Sequence, residues 1–410
     1  MKPNLWHAGS LILITGVYLM SSVPKVSAEV LLGNEVLQKS GFKILKNKRV
    51  GIITNHTGKT KTGQSVIDLI YAAPDIKVTA LFAPEHGIRG DKDEKINSSV
   101  DEKTGLTIHS LYGKTQKPTK EMLENVDIIV FDIQDIGTRF YTYITTLALA
   151  MEAAKENGKE VIVLDRPNPI TGVYTEGNIL DKKFWGGFAT HYPLPVRHGM
   201  TVGELALLFN TQFKIGCKIQ VVKMVGWTRG MWLDNTNVPW INPSPNMKSL
   251  TAALLYPGVA LFEGRGTNVS EGRGTEAPFE YTGAPWISST TYAAELNSRN
   301  ISGVTFEPTE FVPDAASFYK YKGETCYGVK IKVTDREKVQ AVTLGVHMVD
   351  AMIKLFPDNF KLIPAFDGLS GNSNVREQLL ARVPVDTIVA GWNDEHQKFL
   401  KIRKKYLLYK

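Results

Sequence analysis

The stretch Val126-Asp127-Ile128-Ile129-Val130-Phe131-Asp132-Ile133-Gln134-Asp135-Ile136-Gly137-Thr138-Arg139 decides the fold. Val126 to Phe131 reads as a strongly β-branched strand, its near-continuous apolar run the mark of a strand covered on both faces. It then turns polar and meets a glycine, and Tyr141 to Glu156 follows as a long helical stretch. The same unit recurs on either side. Arg49 to Thr54 is a short apolar run with a helical segment, Val66 to Ala73, behind it. Val78 to Phe82 and Val161 to Leu164 are two more strands. Apolar strands separated by helices predict an α/β, Rossmann-like, doubly wound domain with a mostly parallel sheet.

Composition bounds the rest. The chain has 410 residues, 43% hydrophobic and 22% charged, which excludes general disorder, and its 35 Gly and 20 Pro follow no fibrous period. That length predicts two domains. Residues 166–200 and 226–250 are rich in loop formers. Thr201 and Glu204 have capping-box spacing, and Cys217 to Met224 reads as a strand. Near residue 255 the pattern changes to a Gly- and Arg-rich loop, a strand at Tyr327 to Val333, and helices at Arg336 to Leu355, Val375 to Arg382 and Asp394 to Ile402. We therefore expect a catalytic Rossmann-like domain over 29–255 and a smaller α+β auxiliary domain, for substrate binding, over 256–410.

Residues 1–28 read as a secretory signal peptide: Lys2, an apolar run from Leu11 to Met20, and a small-residue cleavage site at Val26-Ser27-Ala28. The expected protein is exported and starts near Glu29. It is secreted or cell-wall associated, or periplasmic in a two-membrane bacterium. No later stretch is apolar enough to span a bilayer, so no membrane insertion is expected once the signal is removed. Removing that segment takes away Lys2 and Lys25 and no acid, so the net charge falls from +7 to +5. This mild excess suits an anionic wall or membrane surface and does not argue for nucleic acid. Two isolated cysteines, Cys217 and Cys326, make neither a disulfide framework nor a four-ligand zinc site.

In an open parallel sheet, ligands bind beyond the carboxyl ends of the strands. The residues that follow the four strands are Asn55 and His56; Glu85, His86 and Arg89; Asp132, Gln134, Asp135 and Arg139; and Asp165, Arg166 and Asn168. All four sets converge on one crevice. The first turn, Thr54 to Gly58, holds a single glycine, so neither a dinucleotide fingerprint nor a phosphate loop is present and no cofactor is expected. Carboxylates, amides and Arg suit a sugar instead. Glu85, held between Pro84 and Gly87, is the sharpest candidate for a general acid, with capping or an Arg89 pair as the structural alternative. No metal-ligand spacing accompanies His56, Glu85 and His86. Asp132, Asp135 and Glu176 are candidates for a second carboxylate. Asp165 and Arg166 either bind ligand or pair with each other. Two local repeats, Glu263 to Thr267 and Glu271 to Thr275, place Arg265 and Arg273 between glycines. Each arginine either receives a ligand carboxylate or pairs with its neighbouring glutamate.

These motifs resemble one family. Val50-Gly51-Ile52-Ile53-Thr54-Asn55, Leu81 to Gly90 around Glu85-His86, Phe131 to Tyr143, Leu164-Asp165-Arg166-Pro167-Asn168-Pro169, Pro243-Ser244-Pro245-Asn246-Met247 and Phe262 to Thr267 are similar to stretches of the NamZ-type exo-β-N-acetylmuramidases, in the same order. The resemblance implies an exported glycoside hydrolase that releases N-acetylmuramic acid from the non-reducing ends of peptidoglycan fragments, with muropeptides as partners and no cofactor or metal. It places the family's catalytic glutamate on Glu85, with His86 beside it. We group Asp135 with these two as catalytic. The expected substrate-binding set is Asn55, Asp132, Gln134, Arg139, Tyr141, Asp165, Arg166, Asn168, Glu176, Asn246, Arg265, Thr267 and Arg273. The second catalytic group, or substrate assistance by an acetamido group, is left open. A non-catalytic, exported sugar- or muropeptide-binding protein is the alternative reading.

Overall fold

The computed structural model describes residues 1, 29–85, 87–88, 99–314 and 320–410. The proposed signal segment and His86 lie outside the described residues. Within them, a seven-stranded sheet is built from β1 (Arg49–Thr54), β2 (Lys77–Ala83), β3 (Ser99–Val100), β4 (Thr107–Ser110), β5 (Ile128–Asp132), β6 (Glu160–Leu164) and β9 (Lys218–Val222). The order is β3-β4-β2-β1-β5-β6-β9, and every pair is parallel except β3 with β4. The expected mostly parallel, doubly wound sheet is present.

The uniform apolarity of the strands now has its cause. On β5, Ile128 and Val130 face one core, packed with Leu37 of α1 (Gly33–Lys39) and Val66 and Ile70 of α2 (Val66–Tyr71). Ile129 and Phe131 face the other, beneath α3 (Tyr143–Glu156) and α4 (Val202–Gln212). With both faces covered, Ile128 to Phe131 are all apolar, and the one charge on the strand, Asp132 at its end, is held in a pair with Arg166. Thr201 and Glu204 form the expected capping box at the start of α4, closing two otherwise orphaned backbone donors.

A short antiparallel pair, β7 (Glu176–Ile179) and β8 (Pro195–Arg197), lies outside the main sheet. The C-terminal part holds an antiparallel sheet of β10 (Tyr281–Ala284), β12 (Cys326–Val333) and β11 (Val304–Phe311), in that order. Against it pack α5 (Leu250–Val259), α6 (Ser289–Ser298) and α7 (Ala341–Leu355). This part shares one continuous core with α3 and α4. Gly258 of α5 meets the backbone of α7 so closely that a Cβ would lie 1.8 Å from the Ala341 carbonyl oxygen. Glycine there is a packing requirement, and it fixes where α5 presents Tyr256.

The crevice beyond β1, β5 and β6 is roofed by the chain itself. Leu233, Val238, Pro239, Trp240 and Ile241 lie over Thr57, Gln134 and Arg166 and leave a void of only about 10 Å³. His56 Nε2 donates to the Asn242 carbonyl at 2.6 Å, and the Tyr143 hydroxyl donates to the Pro243 carbonyl at 2.5 Å. What remains open is displaced toward the end of β2. Among the described residues, no helix is long and apolar enough to cross a membrane.

Candidate active site

β2 delivers Glu85 through Pro84 to the rim of a cavity of about 160 Å³. The Thr142 hydroxyl, at the start of α3, donates to Glu85 Oε2 at 2.8 Å and fixes the carboxylate. The turn Phe140-Tyr141-Thr142-Tyr143 forms one wall, and Ser244 and Met247 another. α5 adds Tyr256, and the Gly-Arg loops beyond it add Glu263, Arg273 and Phe279. The cavity thus lies where the Rossmann-like sheet meets the C-terminal part. It is rich in hydroxyls and aromatic faces, which suits a sugar ring.

The electrostatics are tightly drawn. Arg273 Nη2 pairs with Glu263 Oε1 at 2.8 Å, and its Nε stands 3.9 Å from Glu271. Burial pushes the Glu263 carboxyl above the usual range, and the Arg273 charge opposes that shift. Burial also pushes the Tyr141 phenol upward, helped by the charges of Asp135 and Glu85. The Tyr141 hydroxyl is buried beside Ser244 and Tyr143 without a hydrogen bond of normal geometry.

The expected site residues separate into two groups. Glu85, Tyr141 and Arg273 line the cavity. Asn246 adjoins it, its side-chain oxygen 3.4 Å from the Gly274 amide in the second Gly-Arg loop. Asp135 stands behind Tyr141, where it accepts the Gly137 amide at 2.7 Å and lies 3.5 Å from His198 Nε2. The Met200 amide donates to His198 Nδ1, which leaves the imidazole proton on Nε2, toward Asp135.

The other expected ligands, Arg265 excepted, are taken up inside the protein. Asp132 pairs with Arg166 Nε at 2.5 Å, with both side chains almost fully buried. Asn55 holds its own turn by accepting from the Thr57 amide and hydroxyl. Gln134 donates to the carbonyls of Asp135 and Pro167. Arg139 is enclosed by four carbonyls, those of Asn178, Leu194, Leu369 and Ser370, and burial lowers its pKa to about 9. It joins the β7–β8 pair to the C-terminal part and does not meet the cavity. Asn168 accepts the Ile170 amide and donates to the Met200 carbonyl. Gly137, at φ +87°, packs against it, and a Cβ there would lie 2.6 Å from Asn168 Oδ1. Glu176 pairs with Arg197 at 2.8 Å and accepts the Val342 amide. Thr267 donates to the Phe262 carbonyl. Arg265 is exposed, outside the cavity wall.

Asp165 does not pair with the Arg166 side chain. It is buried under the C-terminal tail, accepting from the Tyr409 hydroxyl at 2.5 Å, Thr201 at 2.8 Å and the amides of Gly203 and Arg166.

Sequence reasoning passed over Thr142, Tyr143, Ser244, Tyr256 and Glu263. Glu263 had a visible signal, since it opens the Glu-Gly-Arg-Gly-Thr repeat, but only as a partner for Arg. A cavity of about 540 Å³ lies elsewhere, between Trp185, Tyr192, Phe213 and Phe399. Its lining is mostly apolar and its one carboxylate, Glu395, is exposed, so it offers no hydrolytic chemistry. No three His, Cys, Asp or Glu side chains among the described residues stand close enough to hold a metal ion.

Two carboxylates and a wall of hydroxyls are compatible with cleavage of a glycosidic bond, and the chain's relationships show that it is a glycoside hydrolase. It belongs to the NamZ exo-β-N-acetylmuramidase family: residues 50–251 match the family's N-terminal domain and 254–409 its C-terminal domain. It is 46% identical, over 412 residues, to the peptidoglycan β-N-acetylmuramidase NamZ of Bacillus subtilis (strain 168), covering 97% of this chain and 98% of that protein. Two crystal structures of DUF1343 family proteins from Bacteroides fragilis share the fold. One has a TM-score of 0.87 at 38% identity and the other 0.77 at 34%, each covering 93% of this chain and 99% of the other.

Proposed function

We propose that this enzyme releases N-acetylmuramic acid from the non-reducing ends of peptidoglycan fragments in the exported space, with Glu85 as its general acid/base. One observation carries the reading. Glu85 sits at the carboxyl end of a parallel strand, fixed by Thr142, on a cavity that Arg273 also lines. A cavity of about 160 Å³ holds a terminal sugar better than the middle of a chain, which favours an exo mode. Muramic acid differs from glucosamine by a lactyl ether bearing a carboxylate. Of the two arginines in the Gly-Arg repeats, only Arg273 lines the cavity and can meet that group. The N-terminal apolar run and its small-residue cleavage site support export to where peptidoglycan lies.

The test is hydrolysis of a chromogenic β-N-acetylmuramide beside the matching β-N-acetylglucosaminide. The wild type cleaves the muramide, and Glu85→Gln lowers kcat about 10²–10⁴-fold, the usual contribution of a positioned acid/base. Arg273→Ala loses more on the muramide than on the glucosaminide. Saturable binding of the muramide by folded wild-type protein without cleavage establishes the sugar-binding alternative instead.

A further inference from the structure

Glu263 is a mostly buried carboxylate, its side chain 17% exposed, whose cationic partner is Arg273. Its Oε1 holds Arg273 Nη2 at 2.8 Å, and its Oε2 is buried beside Tyr256 without a hydrogen bond of normal geometry among the described residues. Every element packed around it adds a charge or an ionisable group. Arg273 and Glu271 come from the second Gly-Arg loop, Lys320 from the segment before β12, and Tyr256 from α5. Tyr141 lies next to Tyr256, and Glu85 lines the same cavity. The neighbouring Glu271 has a cation of its own, Lys320 at 3.2 Å, which is also anchored on the carbonyls of Phe262 and Val269. Among the described residues, Glu85 and Glu263 line the cavity with Arg273, and Glu271 and Lys320 stand just behind.

An anionic ligand cannot take Arg273 without consequence. If its carboxylate claims the guanidinium, Glu263 loses the cation it pairs with directly and keeps only Lys320, which is already paired with Glu271, and a poorly compensated charge in a mostly buried position is costlier than a neutral acid. We propose that Glu263 is a proton-linked specificity residue: when the carboxylate of a muramic acid unit engages Arg273, Glu263 releases the arginine and takes up a proton. The inference rests on the functional reading above, in which Arg273 meets the lactyl carboxylate. No covalent step is involved. One proton passes from solvent to a Glu263 oxygen, and the ligand carboxylate replaces Glu263 as the anion beside Arg273. Burial already pushes Glu263 toward holding that proton, and Arg273 is the main influence against it. The arrangement selects for an anionic sugar and makes its binding pH-dependent, whereas a neutral sugar leaves the ion pair intact.

The experiment is isothermal titration of the full mature protein with free N-acetylmuramic acid, in buffers of differing ionisation enthalpy, with N-acetylglucosamine in parallel. We expect muramic acid binding to take up close to one proton at pH values where free Glu263 is ionised, and glucosamine binding to take up none. In that range the Kd for muramic acid rises about tenfold per pH unit, the slope of a one-proton linkage. Glu263→Gln abolishes the uptake and flattens the pH dependence. It also binds muramic acid more tightly than wild type at high pH, because Arg273 no longer has a competing anion. A merely structural role for Glu263 would produce none of these changes. Wild-type binding without proton uptake, or uptake unchanged in Glu263→Gln, overturns the inference and leaves the enzymatic reading standing. Failure of wild-type protein to bind muramic acid at all overturns both.

Discussion

Asp132→Asn separates a structural carboxylate from a ligand-binding one, because position alone suggests the second and the contacts show the first. Asp132 ends β5, where a parallel sheet offers its ligand site. Its Oδ1 nevertheless holds Arg166 Nε at 2.5 Å and its Oδ2 accepts Asn34 Nδ2 at 3.0 Å, with side-chain exposures of 1% for Asp132 and 3% for Arg166. Arg166 Nη2 also donates to the Lys59 carbonyl at 2.8 Å. Neutralising Asp132 strands a guanidinium in a nearly water-free interior, which costs about 3–5 kcal/mol. Set against a typical total of about 5–15 kcal/mol, the variant still folds but with much of its margin gone. Urea denaturation reads this as a lower midpoint with unchanged slope. The catalytic consequence is small: kcat/KM stays within about twofold well below the melting range, since Asp132 does not line the cavity. Replacing both partners, as Asp132→Leu with Arg166→Met, costs less than the single change, because a buried pair exchanged for apolar packing is often neutral. The orphaned Lys59 carbonyl keeps about 1–3 kcal/mol of that loss. An Asp132→Asn variant of near wild-type stability that loses a hundredfold in kcat/KM would refute the reasoning and return Asp132 to the substrate site.

Tyr409→Phe removes the hydroxyl that donates to Asp165 and accepts the Met224 amide at 3.0 Å, while leaving the ring edge-on to Trp227. Denaturation should show a loss of about 2–4 kcal/mol with activity retained. Burial raises the folded-state pKa of Asp165 to about 6, against hydrogen bonds from Tyr409, Gly203 and Thr201. The native state therefore holds this proton more tightly than the unfolded chain, and the contribution is full below about pH 4 and lost as pH rises through 6. Asp165→Asn removes that dependence, so its stability relative to wild type should climb by about 2–3 kcal/mol between those limits and stay flat outside them. Cys217 and Cys326 are free and buried, with burial pushing their thiols up to about 11 and about 12. A thiol reagent should find neither in the folded protein and both after unfolding, and a fast-reacting thiol would contradict the burial.

The parallel sheet was legible because burial on both faces forces strands to be apolar at every position, a pattern no surface element shares. β1, β2, β5 and β6 were read within two residues of their ends. β10 and β11 were not. They belong to an antiparallel sheet with one face partly exposed, and β11 runs Val304-Thr305-Phe306-Glu307-Pro308-Thr309-Glu310-Phe311 with alternating burial and an internal proline. Such a strand competes with loop in its composition. α5 was obscured by Pro257 and Gly258, a pair that signals a turn in isolation. Here Gly258 is demanded by the close approach of α7, which is a long-range fact.

The candidate site shows the same division more sharply. The strand-end rule found Glu85, because Pro84 and Gly87 leave a carboxylate at the end of β2 little freedom. It also nominated Asp132, Gln134, Asp165, Arg166 and Asn168, and each meets the protein itself. The rule states where a parallel sheet opens. Nothing in it states that residues 233–241 will return across the opening and fill it, as Trp240 and Ile241 do. Once the opening is roofed, polar residues beneath it must be satisfied internally, and this one cause gives both the buried Asp132–Arg166 pair and the Gln134 bonds to carbonyls. The roof also has a constructive consequence. It places the usable cavity at the edge of β2, within reach of the loops after α5, so Glu85 shares it with Glu263 and Arg273 as well as with the turn after β5. Residues of one cavity that lie nearly 180 positions apart cannot be paired by spacing. What the sequence did carry was chemistry without location: a glutamate and an arginine set among glycines twice over, of which the fold uses Glu263 from the first copy and Arg273 from the second.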